Sequence, residues 1–391
     1  MSIKYLVGNN KYTNKPSVPF GENELKFLDD FSKVLKNNKF TNKDADIMSF
    51  AFWCRKKNLI QLRKKFNYNN HKLGIGLVFH ITPSNVPTNF LFSLIIGLLT
   101  GNSNIVKVPQ NKFDQIDLIC RCLNKTIKRN KIMKNRITVV KYDDKEYTKK
   151  FSSICDGRMI WGGDNTIQNV KNCLTKPKNR DITFPDKYSM VIFGTQEILK
   201  LKNNELKNLA KKFYNDTYKF DQNACTSPHL IVWHGKNKKI LEAKNKFWTA
   251  LNDEVKNKYN FSNFMASEKL NQLYRLVINN KTLKKIDINN NLIYRFSLDQ
   301  IPLNNHELRG KWGIFFESEA KSLSNFKNFI NEKYQTLTYF GIDKKKLQNF
   351  IIKNKLSGVD RIVPVGSSMN LSLIWDGYDL KNILTREIEI L

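Results

Sequence analysis

Residues 72–109 read KLGIGLVFHITPSNVPTNFLFSLIIGLLTGNSNIVKVP, three apolar runs joined by turns rich in glycine, proline and asparagine. The outer runs are short and β-branched, as strands are. The middle run, 90–99, is apolar all round and reads as a buried helix. Pro87 suits that helix's first turn, and Gly101-Asn102 suits its end. Strand, buried helix and strand in this order make a βαβ unit, which requires a parallel sheet. The pattern continues with a helix at 112–130 and strands at 136–142, 158–163 and 188–193. It resumes with a helix at 204–220, a strand at 229–235 and helices at 237–256 and 266–280. Strands at 292–298, 312–317 and 335–341 follow. Two amphipathic helices, 22–37 and 43–66, precede it, and NNKTLKKIDINNN (279–291) reads as solvated loop or helix end. The fold class is α/β, and 391 residues suffice for two domains.

The net charge of +31 would ordinarily point to nucleic acid or an anionic membrane. Lysine, however, is spread over nearly every segment, and Asn, Ile and Phe are abundant too, as in an AT-rich coding sequence. Nucleic acid is therefore not expected as the main ligand. Six cysteines, at 54, 120, 122, 155, 173 and 225, show no zinc-ligand spacing, so no metal is expected and the thiols read as reduced. The N-terminus has no secretory apolar region, and the run at 90–99 is too short to span a bilayer. The expectation is a cytoplasmic protein without a transmembrane segment.

Several residues stand where chemistry is done. In FDQNACTSPHLIVW (220–233), Cys225 lies in an amide-rich turn before a strand, either as a small packed residue or as a nucleophile. Asn85, between prolines in TPSNVP, is either a helix cap or a side-chain donor to an oxyanion. Lys107 ends a strand, where ligands of open α/β sheets bind, or is one more surface lysine. Gly162 and Gly163 join a strand to a helix and would let a backbone approach a pyrophosphate, although GxGxxG is absent. His80, His229 and His234 have no partner at a diagnostic spacing and read as structural.

The order strand, P-x-N-x-P, helix, G-N-x-x-V-x-K, strand, G-G, Q-N-x-C resembles the aldehyde dehydrogenase superfamily. Within it, HITPSNVP, DQNACTSP, YQTLTYFGI and GVDRIVPVGSSMNLSLIWDGYDLKNILTREI resemble the long-chain fatty acyl-CoA reductases typified by the reductase subunit of bacterial bioluminescence. The resemblance runs from about His71 to the C-terminus. It implies an aldehyde dehydrogenase-like fold: a Rossmann-type cofactor domain (1–195, with the N-terminal helices), an α/β catalytic domain (196–357) and a C-terminal arm (358–391). The arm's TREIEIL alternates as an oligomerisation strand would. The resemblance further implies NADPH-dependent reduction of an acyl thioester, from acyl-CoA or an acylated partner protein, to an aldehyde. Cys225 falls on the family nucleophile and Asn85 on the oxyanion donor. Pro83, Lys107, Gly162 and Gly163 fall on cofactor contacts. Glu307, with His306 as the competing position, falls near the contact to the nicotinamide ribose. Gln110 stands where NAD-preferring relatives often carry an acid, which favours NADPH while leaving NADH open. The general-base glutamate of hydrolytic relatives is missing from the matching stretch FPDKY (184–188), where Asp186, and beyond it Glu197, are the nearest acids. The alternatives are an aldehyde dehydrogenase running toward the acid and a basic polyanion-binding protein without catalysis.

Overall fold

The computed structural model describes residues 2–65, 71–279 and 283–390. The chain forms two compact units, Met1–Pro185 with Leu371–Leu391, and Asp186–Asn370. Strands of the first unit are β1 (Lys4–Val7), β2 (Lys72–Gly74), β3 (Leu77–Ile81), β4 (Ser103–Lys107), β5 (Ile137–Lys141), β6 (Gly157–Trp161) and β7 (Arg180–Phe184). Six of them form a sheet in the order β1-β5-β4-β3-β6-β7. β3 to β7 run parallel, with β1 antiparallel on the edge. The chain lays β4 and β5 to one side of β3, then crosses to place β6 and β7 on the other. This is the doubly wound arrangement, with its switch point between β3 and β6.

Side chains explain the continuous apolar runs. Leu77, Phe79 and Ile81 enter the core on one face of the sheet, and Val78 enters the core on the other. A strand covered on both faces needs no polar alternation. His80 fits because Ser93 Oγ (2.8 Å) and Asn104 Oδ1 (2.9 Å) bond both ring nitrogens. Burial pushes its pKa down to about 4, so it is neutral at pH 7. The helix Asn89–Leu99 is buried at every position from Phe90 onward. It starts after a Thr88 cap, so Pro87 precedes the cap instead of lying in the first turn. At its end Gly101 takes φ +80°, which lets the Asn102 N–H reach back to the Gly97 carbonyl at 2.9 Å.

Gly76 divides the stretch expected as one strand over 72–81. Its φ is +131°, and a Cβ there would lie 2.3 Å from the Asp156 carboxylate. The chain kinks at this residue, and β2 leaves the sheet that β3 joins.

The second unit holds β8 (Tyr188–Gly194), β9 (Pro228–His234), β10 (Leu283–Asn289), β11 (Ile293–Leu298), β12 (Ile314–Ala320), β13 (Tyr334–Phe340) and β14 (Arg361–Pro364). Their order is β10-β11-β12-β9-β8-β13-β14, parallel except for β10. β8 is interior to this sheet, so the division of the chain falls at Pro185, ahead of the expected residue 195. Alternate residues of β8 feed two cores, Met190 and Ile192 one way, Val191 and Phe193 the other. The stretch read as solvated loop contains β10, an edge strand; residues 280–282 of it lie outside the described residues. Its exposed Lys284 and Lys285 carry ion pairs to Asp299 and Asp287, the charged dressing that blunts sheet edges.

The last residues return to the first unit as β15 (Ile374–Trp375), β16 (Tyr378–Asp379) and β17 (Thr385–Glu387). Asp376 and Gly377, both with positive φ, close the β15–β16 hairpin as an Asp-Gly turn should. Trp375 packs 4.9 Å from the Phe92 ring, and Tyr378 meets Phe184 edge-on at 5.9 Å. The WDGYDL motif is thus a core plug. β17 pairs with β2 of the same chain, Thr385 opposite Gly74. Among the described residues no helix is long and apolar enough to cross a membrane.

Asn102 ties this return in place. Its Oδ1 accepts from the Gly76 N–H at 3.0 Å, and its Nδ2 donates to the Leu384 carbonyl at 2.9 Å. The residue is fully buried, so Asn102→Ala strands both groups without water. Stability to urea should fall by about 2 kcal/mol or more. An unchanged urea midpoint would contradict this role.

Candidate active site

In the first unit, the candidate residues collect at the C-terminal ends of adjacent parallel strands. Pro83 and Asn85 lie in the turn after β3, Lys107 ends β4, and Gly162 and Gly163 follow β6. The turns after β3 and β6 flank the switch point, where doubly wound sheets bind dinucleotides. Asn85 and Gly163 are exposed, and Pro83, Lys107 and Gly162 are half-buried. The Thr82 N–H (3.2 Å) and Oγ1 (2.8 Å) both bond the Lys107 carbonyl, fixing the two strand ends together. The Lys107 ammonium sits 4.9 Å from the Tyr142 ring centroid. Burial lowers its pKa, with Asp143 opposing. Gly163 caps the helix Asp164–Lys171, and a Cβ on it would meet nothing within 4 Å. Nothing within the chain requires glycine there. A bare backbone facing open space at a helix start is what a pyrophosphate needs. Gln110 is exposed just beyond β4.

The other candidates lie in the second unit. Glu307 is exposed on a 3-10 turn, and its carboxylate accepts from Asn304 Nδ2 at 2.9 Å. Cys225 is half-exposed in the turn before β9. That turn begins with two non-glycine residues in the left-handed region, Asp221 (φ 52°) and Gln222 (φ 58°). Each costs about 1 kcal/mol or more, so the surroundings must impose them. The Gln222 carboxamide does so from a buried position. Its Oε1 accepts from the Gly313 N–H at 2.7 Å, and its Nε2 donates to the Ile314 carbonyl at 3.0 Å. The Tyr259 hydroxyl donates to the Asp221 carboxylate.

The cysteine itself is gripped from neighbouring strands. Ser189, on β8, donates its hydroxyl to the Cys225 carbonyl at 2.6 Å and accepts the Thr336 N–H of β13 at 3.2 Å. Gln335 Nε2, also on β13, donates to the Cys225 sulfur at 3.5 Å. The Thr226 hydroxyl donates to the Met369 sulfur at 3.1 Å. Cys225 precedes β9, while Ser189 and Gln335 are second residues of β8 and β13. The nucleophile candidate therefore lies at the N-terminal edge of this sheet. Sequence reasoning gave Ser189, Gln222 and Gln335 no role. The available signal was a polar residue inside an otherwise apolar strand start, as in YSMVIF and YQTLTYF.

The other thiols and imidazoles are differently placed. Cys54, Cys120, Cys122 and Cys155 are buried, and desolvation raises their pKa values, to about 12 for Cys120 and Cys155. His229 stacks on Tyr188 and accepts from the Gly310 N–H at 3.2 Å. Burial, with help from the Arg309 charge, brings its pKa to about 3, so it is neutral at pH 7. Among the described residues no group of His, Cys, Asp or Glu could hold a metal ion.

The sequence profile of the family described as acyl-CoA reductase (LuxC) matches residues 22–285. The GVDRIVPVGSSMN signature lies beyond that match. No curated protein sequence matches the chain. An NAD-dependent benzaldehyde dehydrogenase from Corynebacterium glutamicum superposes with a TM-score of 0.62 at 11% identity, over 95% of this chain and 85% of that one. A 1-pyrroline-5-carboxylate dehydrogenase from Thermus with bound NAD gives 0.63 at 10% identity, over 93% and 80%. Identity this low speaks of fold alone, and the fold is aldehyde dehydrogenase-like as expected.

The signature has a physical role of its own. Arg361 donates to the Ser368 (3.0 Å) and Asn370 (2.9 Å) carbonyls. The buried Asp216 accepts from the Gly366 and Ser368 N–H groups and from the Ser368 hydroxyl. This clasp holds Met369 against Thr226, next to Cys225. Burial outweighs these donors and brings the Asp216 carboxyl up to about 6. A pKa raised by folding gives stability that is complete below the unfolded value, about 4, and is lost as pH rises through the folded one. Asp216→Asn does not titrate. The stability gap between wild type and Asp216→Asn should therefore narrow from about pH 4 to about pH 7, read from urea midpoints. A gap that widens over this range would refute the assignment.

Proposed function

Because the chain belongs to the acyl-CoA reductase (LuxC) family, matched over residues 22–285, we propose that it reduces an acyl thioester to an aldehyde through a covalent thioester at Cys225. The observation that carries this reading is that Cys225 is half-exposed and held by side chains of β8 and β13; four other cysteines are buried, and the thiol of Cys173, also half-exposed, bonds within its own helix end, to the Asn169 carbonyl at 3.6 Å. Its thiolate attacks the thioester carbonyl and expels the CoA thiolate. Asn85 and the Cys225 N–H are the proposed donors to the oxyanion, and one such donor is commonly worth about 3 kcal/mol. A bound nicotinamide supplies the hydride that reduces the acyl-enzyme. The resulting thiohemiacetal alkoxide re-forms a C=O bond, and the Cys225 thiolate leaves as the aldehyde is released.

The bare Gly163 backbone, the half-buried Lys107 and the turn after β3 fit a dinucleotide at the switch point. Pro83, Lys107, Gly162 and Gly163 are the proposed contacts in the first unit, and Glu307 is the proposed contact in the second. NADPH is the proposed reductant because Gln110 puts no negative charge near a 2′-phosphate.

Two observations support the thioester reductase over the hydrolytic enzyme. Asp186 is 60% exposed and its carboxylate is already engaged in an ion pair with Arg309 at 2.9 Å. Glu197 belongs to the helix Thr195–Lys200, which follows the C-terminal end of β8. Ser189 and Cys225 lie at the other end, a strand length away, and Glu197 pairs with Lys200 at 2.7 Å. Neither acid is the base of the missing Glu motif.

Aldehyde with NADP⁺ should therefore yield acyl-CoA only when CoA is supplied, with little free acid, and Cys225→Ala should abolish turnover. Fast CoA-independent acid formation, lost in Asp186→Asn, would move the protein to the hydrolytic class. Gln110→Glu should raise KM for NADPH more than for NADH. Equal effects would show that Gln110 does not line the ribose pocket.

A further inference from the structure

The residue donating to the Cys225 sulfur is itself fully buried. Burying a carboxamide in the apolar start of a strand is costly unless its polar atoms are engaged. Gln335 Oε1 accepts from the Thr336 hydroxyl at 3.4 Å, so the Nε2 end is the one turned to the sulfur. The same two residues fix the cysteine twice. Gln335 holds the sulfur, and the Thr336 N–H holds the Ser189 hydroxyl that grips the Cys225 carbonyl. The main chain of Cys225 is tied to β8 and its sulfur to β13, so the sheet takes part in setting the sulfur-to-amide distance.

The ionisable groups on the same strand ends are otherwise occupied. Tyr188 and His229 stack on each other at 5.4 Å, and His229 is neutral and bonded to the Gly310 N–H. Arg309 lies 5.9 Å from the Tyr188 ring centroid and is engaged by Asp186.

We propose that Gln335 is a further catalytic residue, whose carboxamide N–H stabilises the Cys225 sulfur as the thiolate; this rests on Cys225 being the nucleophile. A hydrogen bond to the charged form favours that form. The amide moves no proton. It donates strongly to the thiolate before attack and weakly to the thioester sulfur, which is a poor acceptor. It regains the strong bond when the thiohemiacetal collapses and the sulfur leaves. Both the attack and the release of aldehyde are served by one neutral donor.

The test is the pH dependence of iodoacetamide alkylation at Cys225, followed on the peptide that contains it, in wild type and in Gln335→Met. Methionine keeps the volume and removes the donor. The alkylation midpoint should rise by about one pH unit, since the thiolate loses a hydrogen bond that the thiol hardly uses. The acid limb of kcat/KM should shift with it, and turnover should recover toward wild type at high pH. A purely structural role would lower turnover at every pH and leave the midpoint in place. Should the Met variant not fold, Gln335→Asn carries the test: its amide is drawn back by one methylene, and a smaller upward shift is expected. An unchanged midpoint in a folded variant overturns the proposal. If Cys225→Ala still takes up an acyl group, the underlying reading fails instead. Loss of acylation in Cys225→Ala with an unmoved midpoint in the Gln335 variants defeats the inference alone.

Discussion

The second unit depends on the Gln222 carboxamide bridging to the start of β12. Its bonds to Gly313 and Ile314, with the Tyr259 hydroxyl on the Asp221 carboxylate, offset the strain of the left-handed pair Asp221–Gln222. Released from that geometry, the turn would carry Cys225 away from Ser189 and Gln335. The bridge is neutral, buried and two-sided, so it is insensitive to salt and pH. The charged groups nearby serve the periphery: Asp216 and Arg361 fasten the signature loop, and that loop presses Met369 onto Thr226. In the proposed reaction, a cysteine that must meet a thioester carbonyl in one orientation benefits from being held by strands as well as by its own turn.

The two units put their candidate residues at opposite kinds of edge. In the first, they gather at the C-terminal ends of parallel strands, where connections diverge at a switch point and helix starts point outward. In the second, Cys225 lies at the N-terminal ends of β9, β8 and β13. The difference follows from what each edge offers. The C-terminal edge supplies bare backbone and a helix N-terminus, as the proposed anionic cofactor would need. The N-terminal edge supplies second-position side chains, Ser189 on the adjacent strand and Gln335 one strand further, that reach the turn entering β9.

Much of this was legible in residue order. The run over 72–109 reads directly as strand, helix and strand because each joint is marked by proline or glycine. Lys107 and the Gly162–Gly163 pair are readable because they sit where such runs end. Other features were not legible, because their cause is a partner distant in sequence. Gly76 looks like a glycine within a strand until Asp156 is placed beside it. Gln335 looks like a lapse in an apolar strand until Cys225, 110 positions away, is brought to it. Edge strand β10 escaped notice because an edge carries lysine, as a solvated loop does.

In the proposed mechanism Cys225 accepts the acyl group before any hydride arrives. The most direct test of that order is the mass of the intact protein after incubation with a long-chain acyl-CoA and no nicotinamide, followed by mapping of the modified peptide. One acyl group is expected, on the peptide containing Cys225, removed by added CoA and absent from Cys225→Ala. An unmodified protein that still reduces acyl-CoA once NADPH is added, or an adduct on another cysteine that survives in Cys225→Ala, would contradict it.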